Sequence, residues 1–423
     1  MARSKATREK VVEEPKTERE SSDARFRALA AVAGKSSAFR RPREVLRRVR
    51  AVPTIFPGVD AALRVGGWPI DRIATIHGPS NHGKSIFAAG LGISFLQRGH
   101  FFKLMDAERT TSITWYETLA KSVGNINLAD AVGFSASRPD SYEDAVEEIR
   151  EWCTAIGEAK AKGQVPADTT GLVVVDSLRK LVPKKFFEKV NNSQKSDGSV
   201  DGFGGRAAQM KAALNAAWLD ELVPLLDGTG TALIFIARES EDVNADANDK
   251  KWGRDFKVTG GKAIIFDASL VIRIERDGWV YGPGPEGAKK PVYGERHRVT
   301  VAKTKISGKD DKTQVAHFHT SNGELVPEGF DLARDVLALA CEAGVVTKTS
   351  GWLSYAKRRW NGDNQAVKWF VANPEALAEL EAKVRATFEV EGIDRKSPCG
   401  ESAPTKPDPR DEEEDRAVAS EPS

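Results

Sequence analysis

The chain has 423 residues, 40% of them hydrophobic and 29% charged, and its formal net charge at pH 7 is +2. That length accommodates a full α/β core with one smaller domain, and the composition is typical of a globular, soluble protein. The N-terminus lacks the apolar core of a secretory signal, and no apolar run approaches the roughly 18 residues of a membrane span. These features argue against a secreted protein and against membrane association.

The cysteines bear on the cellular compartment. Cys153, Cys341 and Cys399 have neither a pairing pattern nor metal-type spacing. We therefore expect ordinary thiols in a reducing cytoplasm.

The small net charge conceals an asymmetry between the two ends of the chain. Residues 1–50 carry 15 basic and 7 acidic side chains, whereas residues 401–423 carry 3 basic and 8 acidic ones. The segment between them is almost neutral, so any nucleic-acid site within it must be local rather than a product of overall charge. We expect residues 1–22 and 393–423 to be solvated and disordered.

Four segments follow one another along the chain. Residues 1–50 form a basic arm, in which the apolar spacing after Phe26 is helical with arginines between. Residues 51–326 alternate short β-rich runs with amphipathic helices, which predicts a mostly parallel sheet covered on both faces. Residues 327–392 contain further helical patterns and predict a small second domain. An acidic tail, residues 393–423, ends the chain.

Two polar, glycine-rich stretches interrupt the alternating pattern. They are Val190–Gly205 and Glu239–Gly261. Loops of that length inside a compact domain are usually functional or mobile.

A phosphate-binding loop is the strongest single motif. Gly78, Gly83, Lys84 and Ser85 match the pattern G-x-x-x-x-G-K-[ST], between a predicted strand and a predicted apolar helix. In such a loop the backbone amides and the helix N-terminus face the phosphates, the lysine reaches the terminal phosphates and the serine ligates Mg²⁺. The alternative, a structural glycine turn, is the weaker reading. We expect ATP contacts along the whole loop: Gly78, Pro79, Ser80, Asn81, His82, Gly83, Lys84 and Ser85.

Two apolar strands end in acids that could complete a hydrolytic site. Asp176 ends "GLVVVDS" and is a candidate for the Mg²⁺ shell. Asp106 and Glu108 end "FFKLMDAERT", and either could orient an attacking water. Each signal is weak alone, since buried strands often end in an acid without chemical reason.

Taken together and in order, these motifs resemble the bacterial RecA family of recombination ATPases. "GPSNHGKS", "DAERT", "VVVDS", "LIFIA", "TGGKAIIFDAS" and "VAKTKI" occur at RecA-like spacing, and the resemblance runs from about Phe26 to Phe388. It implies a RecA-like P-loop ATPase core with a mostly parallel twisted sheet, an N-terminal helical arm and a small α+β C-terminal domain. The acidic tail is also RecA-like.

The resemblance assigns chemical roles to particular residues. It implies that Glu108 activates the attacking water, that Asp176 and Ser85 hold Mg²⁺, and that Lys84 contacts the phosphates of ATP. It implies that Arg238 occupies the position at which the family senses the γ-phosphate with a glutamine.

Three further side chains gain roles from the resemblance. Trp115 matches an aromatic that stacks on adenine, although a core tryptophan is an open alternative. Lys303 and Lys305 match a pair that reaches the neighbouring protomer's ATP across a filament interface. Their spacing puts both on one face of a strand, where a solvated pair on an edge strand is the alternative.

The resemblance also implies that the two long loops hold single-stranded DNA. Basic residues interleaved with aromatics in the second loop suit a stacked single strand, while a polar loop without a ligand is the alternative. Glycines would let the backbone approach phosphates closely. The matched positions are Gly205, Arg206, Gln209, Thr259, Gly260 and Gly261.

The implied function is ATP-dependent recombination: filaments on single-stranded DNA that pair and exchange strands with duplex DNA, in the cytoplasm and within the SOS response. Two features depart from the family: Arg238, and the acids Glu239, Glu241 and Asp242 that open the second loop. They indicate a divergent member, with a phage-borne gene and a second copy both open. A RecA-fold regulator without strand exchange is the main alternative, and a hexameric P-loop motor is disfavoured by the RecA-type C-terminal domain.

Overall fold

The computed structural model describes residues 24, 27, 49–124, 128, 131–184, 217–241, 256–258, 262–283, 290–306 and 314–388. The chain divides into two units, residues 1–48 and residues 49–423, and the elements below belong to the second unit. The expected disorder at both ends and most of the basic arm lie outside the described residues. The domain boundaries therefore remain predictions.

The described strands and helices alternate through the core. The first strands are β1 (Ala51–Val52), β2 (Trp68–Pro69), β3 (Ile73–His77), β4 (Phe101–Asp106), β5 (Phe134–Ser137), β6 (Gly171–Asp176) and β7 (Thr231–Ile236). They are followed by β8 (Glu239–Glu241), β9 (Phe256–Val258), β10 (Leu270–Tyr281), β11 (Val292–Thr304), β12 (Val315–Ser321) and β13 (Gly329–Phe330). The last three are β14 (Thr347–Thr349), β15 (Trp352–Tyr355) and β16 (Arg358–Asn361).

The helices lie between and after these strands. They are α1 (Pro57–Leu63), α2 (Lys84–Gln97), α3 (Ile113–Val123), α4 (Tyr142–Ala161), α5 (217–229), α6 (Lys262–Asp267), α7 (Leu332–Glu342), α8 (Asp363–Ala372) and α9 (Pro374–Arg385). A short 3₁₀ helix covers Leu178–Lys180. Among the described residues, none of the helices is both long enough and apolar enough to cross a membrane.

One large sheet organises the core. Its nine strands lie in the order β13–β12–β11–β10–β3–β7–β6–β4–β5. Every pairing from β10 to β5 is parallel, whereas β10, β11, β12 and β13 pair antiparallel. The predicted α/β class with a mostly parallel sheet is therefore confirmed.

Strands β6 and β7 are almost entirely apolar because both faces of the sheet are covered there. On β6, Leu172 and Val174 pack in one core with helix α2, while Val173 and Val175 pack in a second core with helix α4. This is the alternation that strand geometry imposes on a fully buried strand. The acid of β6, Asp176, is consequently at the end of the strand.

A third core lies in the C-terminal part of the chain. Helices α7, α8 and α9 pack with the antiparallel sheet β14–β15–β16 around Leu337, Leu353, Trp360 and Phe370. The helical patterns of the sequence correspond to α7 and α9. These C-terminal helices and strands have the small α+β architecture that was expected.

Arg385, at the end of α9, ties this part of the chain to α1. Its guanidinium donates to Asp60 Oδ2 at 2.7 Å and to the Thr54 carbonyl oxygen at 2.7 Å. The Thr54 amide and hydroxyl each donate to Asp60 at 2.8 Å. Burial raises the pKa of Asp60 to about 6, and the charge of Arg385 opposes that rise. Asp60 is thus a buried carboxylate whose ionised form depends on Arg385.

Arg385→Met is expected to lower the free energy of unfolding by about 3 kcal/mol near pH 8, because it leaves a buried carboxylate without its cation. The loss should be smaller below the raised pKa of Asp60, since the folded protein then holds a proton on that side chain. Urea titrations at about pH 8 and about pH 5 measure both values. Lys383→Met removes an exposed cation from the same helix and should change stability by about 0.5 kcal/mol at most. Equal losses for Arg385→Met at the two pH values would show that the ionised form of Asp60 does not depend on Arg385.

Candidate nucleotide-binding site

Four neighbouring parallel strands bring the candidate residues to one edge of the sheet. The strands lie in the order β3–β7–β6–β4. Within two residues of their ends come Gly78 after β3, Arg238 after β7, Ser177 after β6 and Glu108 after β4. The crevice beyond the carboxyl ends of parallel strands is where open α/β sheets bind ligands. The topology therefore gathers groups that are up to 160 residues apart in the chain, from Gly78 to Arg238.

The glycines of the phosphate loop are required by its backbone. Gly78 has a φ of +150° and Gly83 a φ of +91°, and Asn81 also has a left-handed φ of 61°. A Cβ on Gly78 would lie 2.0 Å from the carbonyl oxygen of Ile274, and one on Gly83 would lie 2.6 Å from His297 Nδ1. Other residue types would therefore displace the loop from the strands beneath it.

The outer part of the loop is held by the hairpin of β10 and β11. The Arg276 amide donates to His82 Nδ1 at 3.0 Å, and the Arg276 guanidinium donates to the Asn81 carbonyl oxygen at 2.8 Å. The His297 ring lies 3.2 Å from the His82 carbonyl oxygen. Ser80 and Asn81 remain exposed. The loop is thus anchored on one side and open on the other.

Lys84 begins helix α2 and points back into the loop. Its Nζ donates to the carbonyl oxygens of Gly78 at 3.0 Å and Pro79 at 2.5 Å. Burial lowers the pKa of Lys84, and the nearby Asp176 carboxylate opposes that effect. An ammonium at a helix N-terminus, among backbone amides, is the arrangement that binds the phosphates of a nucleotide.

Ser85 and Asp176 are brought together as predicted for a magnesium site. The Ser85 hydroxyl donates to Asp176 Oδ2 at 2.5 Å. Burial raises the pKa of Asp176 to about 6, and the bond from Ser85 lowers it. Within the described residues, no cluster of three or more His, Cys, Asp or Glu side chains could hold a metal alone. One hydroxyl and one carboxylate suit Mg²⁺, which usually takes its other ligands from phosphates and water.

Glu108 lies beside Asp176 and is held by three hydrogen bonds. The Ser177 hydroxyl donates to Oε1 at 2.5 Å, and Arg238 Nη2 lies 2.8 Å from both carboxylate oxygens. Burial raises the pKa of Glu108, but the bonds from Ser177 and Arg238 outweigh burial and hold the pKa below its usual value. The carboxylate is therefore ionised, as a group that accepts a proton from water must be.

Asp106, the other acid of the same strand end, has a different environment. Its oxygens accept the backbone amides of Thr110 at 3.3 Å and Thr111 at 3.1 Å. Arg138 lies 3.5 Å from Oδ2. These contacts fix the turn after β4. The carboxylate of Asp106 is therefore engaged by the backbone, whereas that of Glu108 is held by side chains alone.

The two lysines of the "VAKTKI" segment converge on one helix end. Lys303 Nζ donates to the carbonyl oxygens of Ile265 at 2.7 Å and Phe266 at 2.6 Å, and Lys305 Nζ donates to that of Phe266 at 2.9 Å. Their predicted placement on one side is thus observed. The described pairs of β11 with β12 run from Gly294 to Thr300, so both lysines lie beyond them and the solvated-edge alternative remains a prediction beside the interface role.

Trp115 is partly buried and packs against the first core. Its ring meets that of Tyr116 edge-on at 5.1 Å between centroids. Stacking on adenine remains a prediction.

The root of the second loop differs from the sequence-based expectation. Glu239 was expected to add negative charge to the loop, but its side chain is only 7% exposed. The His77 ring donates to Glu239 Oε1 at 2.7 Å, and Arg273 Nε donates to it at 2.9 Å. The Arg273 guanidinium on β10, distant in sequence, offsets the acid. Strands β8 and β9, which pair antiparallel within the second loop, were also not predicted from the sequence.

The predicted DNA-binding positions are not among the described residues. Gly205, Arg206 and Gln209 of the first loop and Thr259, Gly260 and Gly261 of the second lie outside them. Their role stays a prediction.

Comparison with known proteins decides the family. The RecA N-terminal domain model matches residues 23–322. The chain belongs to the RecA family. Protein RecA of Aquifex pyrophilus is 30% identical over 348 residues, covering 82% of this chain and 85% of that protein. Protein RecA of Cytophaga hutchinsonii is 27% identical over 361 residues, covering 85% and 88%. Protein RecA of Thermus thermophilus is 27% identical over 360 residues, covering 85% and 92%.

Identity near this level over most of the chain marks a divergent RecA-family member, as the sequence indicated. The sequence motifs did not predict that Ser177 and Arg238 contact Glu108 at the strand ends. Ser177 follows the "VVVDS" acid directly and could have been singled out from that position. The contact of Arg238 with Glu108 joins residues 130 positions apart and left no local signal.

Proposed function

We propose that this RecA-family chain is an ATP-dependent recombination protein. It would form filaments on single-stranded DNA, promote pairing and strand exchange with duplex DNA, and hydrolyse ATP in response to DNA. The proposal includes a cytoplasmic location, where the thiols of Cys153 and Cys341 can stay free. The proposal rests on the convergence of Lys84, at the start of α2, with Asp176 and Glu108, at the ends of the adjacent strands β6 and β4.

The phosphate loop is the part that would bind ATP. Lys84 and the amides of the loop would hold the phosphates, and the N-terminus of α2 would add partial positive charge. Ser85 and Asp176 would hold Mg²⁺, which neutralises charge on the phosphates when bound. Trp115 would stack on the adenine.

Glu108 would orient and deprotonate the water that attacks the γ-phosphate. Because phosphoryl transfer depends mostly on positioning and electrostatics, the fixed orientation of this carboxylate matters as much as its basicity. The Ser177 hydroxyl supplies that orientation at 2.5 Å.

The lysine pair would complete the site of a neighbouring protomer. Lys303 and Lys305 lie on the far side of β10 from the phosphate-loop strand β3, at the end of α6. Two ammonium groups there would meet the phosphates of ATP bound to the next copy in a filament. Single-stranded DNA would lie on the two loops, with mainly electrostatic and stacking contacts and weak sequence preference.

Replacing both Lys303 and Lys305 with alanine is expected to leave ATP binding intact and to lower DNA-stimulated hydrolysis roughly a hundredfold. Loss of the contacts to α6 should cost about 1 kcal/mol of stability. Lys368→Ala, an exposed lysine on α8, is the matched control and should behave as wild type. A mixture of the double variant with Lys84→Ala protein should recover part of the activity, because some junctions pair an intact loop with intact lysines. No recovery from two proteins that are shown to co-assemble would rule out action between protomers.

A RecA-fold regulator without strand exchange is the competing function. The acids Glu239, Glu241 and Asp242 at the start of the second loop suggested it, and of these the Glu239 carboxylate is buried and paired with Arg273. The two functions differ in one assay. Hydrolysis of ATP should accelerate when single-stranded DNA is added if the chain is a recombinase, and an unchanged rate would favour the regulator.

A further inference from the structure

Arg238 stands between the phosphate loop and the candidate base. It follows β7, which is flanked by the phosphate-loop strand β3 on one side and by β6 on the other. Its side chain extends across the end of β6, and Nη2 lies 2.8 Å from both carboxylate oxygens of Glu108. One guanidinium therefore engages both oxygens of the group that would act on water.

The backbone on either side of Arg238 is fixed to β3. The Ala237 amide donates to the Ile76 carbonyl oxygen at 2.9 Å, and the Glu239 amide donates to that of Gly78 at 3.3 Å. The buried Glu239 carboxylate is held as well by His77 and Arg273. Arg238 can thus change partner by rotating its side chain alone, while its Cα stays next to the phosphate loop.

The phosphates would lie within reach of the same guanidinium. The Gly78 carbonyl oxygen accepts Lys84 Nζ at 3.0 Å and the Glu239 amide at 3.3 Å, so Lys84 and the backbone next to Arg238 meet at one atom of the phosphate loop. A terminal phosphate bound by Lys84 would be a second anionic partner for Arg238. The Arg238 side chain is 34% exposed, which leaves room for the exchange.

We propose that Arg238 is a positioning residue that keeps the Glu108 carboxylate from the attacking water until the terminal phosphate of bound ATP takes over its guanidinium. The inference rests on the proposed ATP-hydrolysing function and adds a control on it. Arginine can exchange a carboxylate for a phosphate with little loss of interaction energy, because the planar array of guanidinium N–H donors matches the oxygens of both ions. Ser177 would then hold one oxygen of Glu108, and the other would be released to accept the proton of the water.

Nucleotide affinities in a double-mutant cycle test this role. Wild type, Glu108→Gln, Arg238→Gln and the double variant are titrated by calorimetry with ADP and with a non-hydrolysable ATP analogue. In every background, Glu108→Gln removes a negative charge near the terminal phosphate and so favours the analogue. With Arg238 present it also releases the guanidinium. Glu108→Gln should therefore raise the ratio of analogue affinity to ADP affinity in both backgrounds. The rise should be about tenfold larger when Arg238 is present than in the Arg238→Gln background.

Equal rises in the two backgrounds would overturn the role of Arg238, since a merely structural arginine gives no coupling that depends on the terminal phosphate. Arg238→Lys keeps the cation and should recover a measurable part of the coupling, and a lysine variant with none would also overturn it. A wild-type protein that binds neither nucleotide, or whose hydrolysis ignores single-stranded DNA, would instead refute the proposed function. The two failures are therefore distinguishable.

Discussion

Lys84→Ala is expected to lower ATP turnover about a thousandfold while the protein stays folded. The substitution removes the ammonium that would meet the terminal phosphates, an interaction that strengthens as charge develops in the transition state. The carbonyl oxygens of Gly78 and Pro79 lose their contacts with Lys84, which should cost about 1 kcal/mol of stability. Steady-state hydrolysis and thermal unfolding followed by circular dichroism measure the two effects separately.

Lys103→Ala is the matched control. Lys103 is comparably buried, but it lies within β4 and pairs with Glu148 at 2.8 Å, away from the strand-end site. It should lose stability and retain turnover. Normal hydrolysis by folded Lys84→Ala protein would refute the phosphate-loop assignment.

Glu108→Gln is expected to bind ATP and to hydrolyse it about a thousandfold more slowly, because an amide cannot take a proton from water. The side chain keeps its size, and its carbonyl oxygen can still accept the bond from Ser177, so the fold should be unaffected. ATP-bound filaments should persist, since hydrolysis would no longer weaken the interface between protomers. Single-turnover kinetics with ATP measure the chemical step directly.

Asp106→Asn provides the comparison for Glu108→Gln. Asp106 accepts two backbone amides, so the variant should lose stability and keep most of its turnover. A Glu108→Gln protein with wild-type turnover, or an Asp106→Asn protein that is the less active of the two, would move the base to Asp106.

Local patterns were sufficient to predict the phosphate loop and the alternating strands and helices of the core. The glycines of the phosphate loop have a required backbone geometry, and the apolar strands β6 and β7 read as continuous runs because both faces are buried. Alternating strands and helices then implied a parallel sheet. Each of these signals is contained within about 20 residues of sequence.

Contacts between distant segments could not be predicted in this way. Glu239 reads as a loop acid until Arg273, from a neighbouring region of the sheet, is placed beside it. The pairing of Arg238 with Glu108 depends on the strand order, which the sequence of motifs does not specify. The contacts of Lys303 and Lys305 with carbonyl oxygens of α6 likewise join residues 38 and 39 positions apart in the chain.

Negative-stain electron microscopy with a non-hydrolysable ATP analogue, with and without single-stranded DNA, tests the proposed function most directly. We expect continuous helical filaments along the DNA, and their loss for Lys303→Ala combined with Lys305→Ala. Closed rings would indicate a hexameric motor, and isolated particles under both conditions would contradict a filament-forming recombinase.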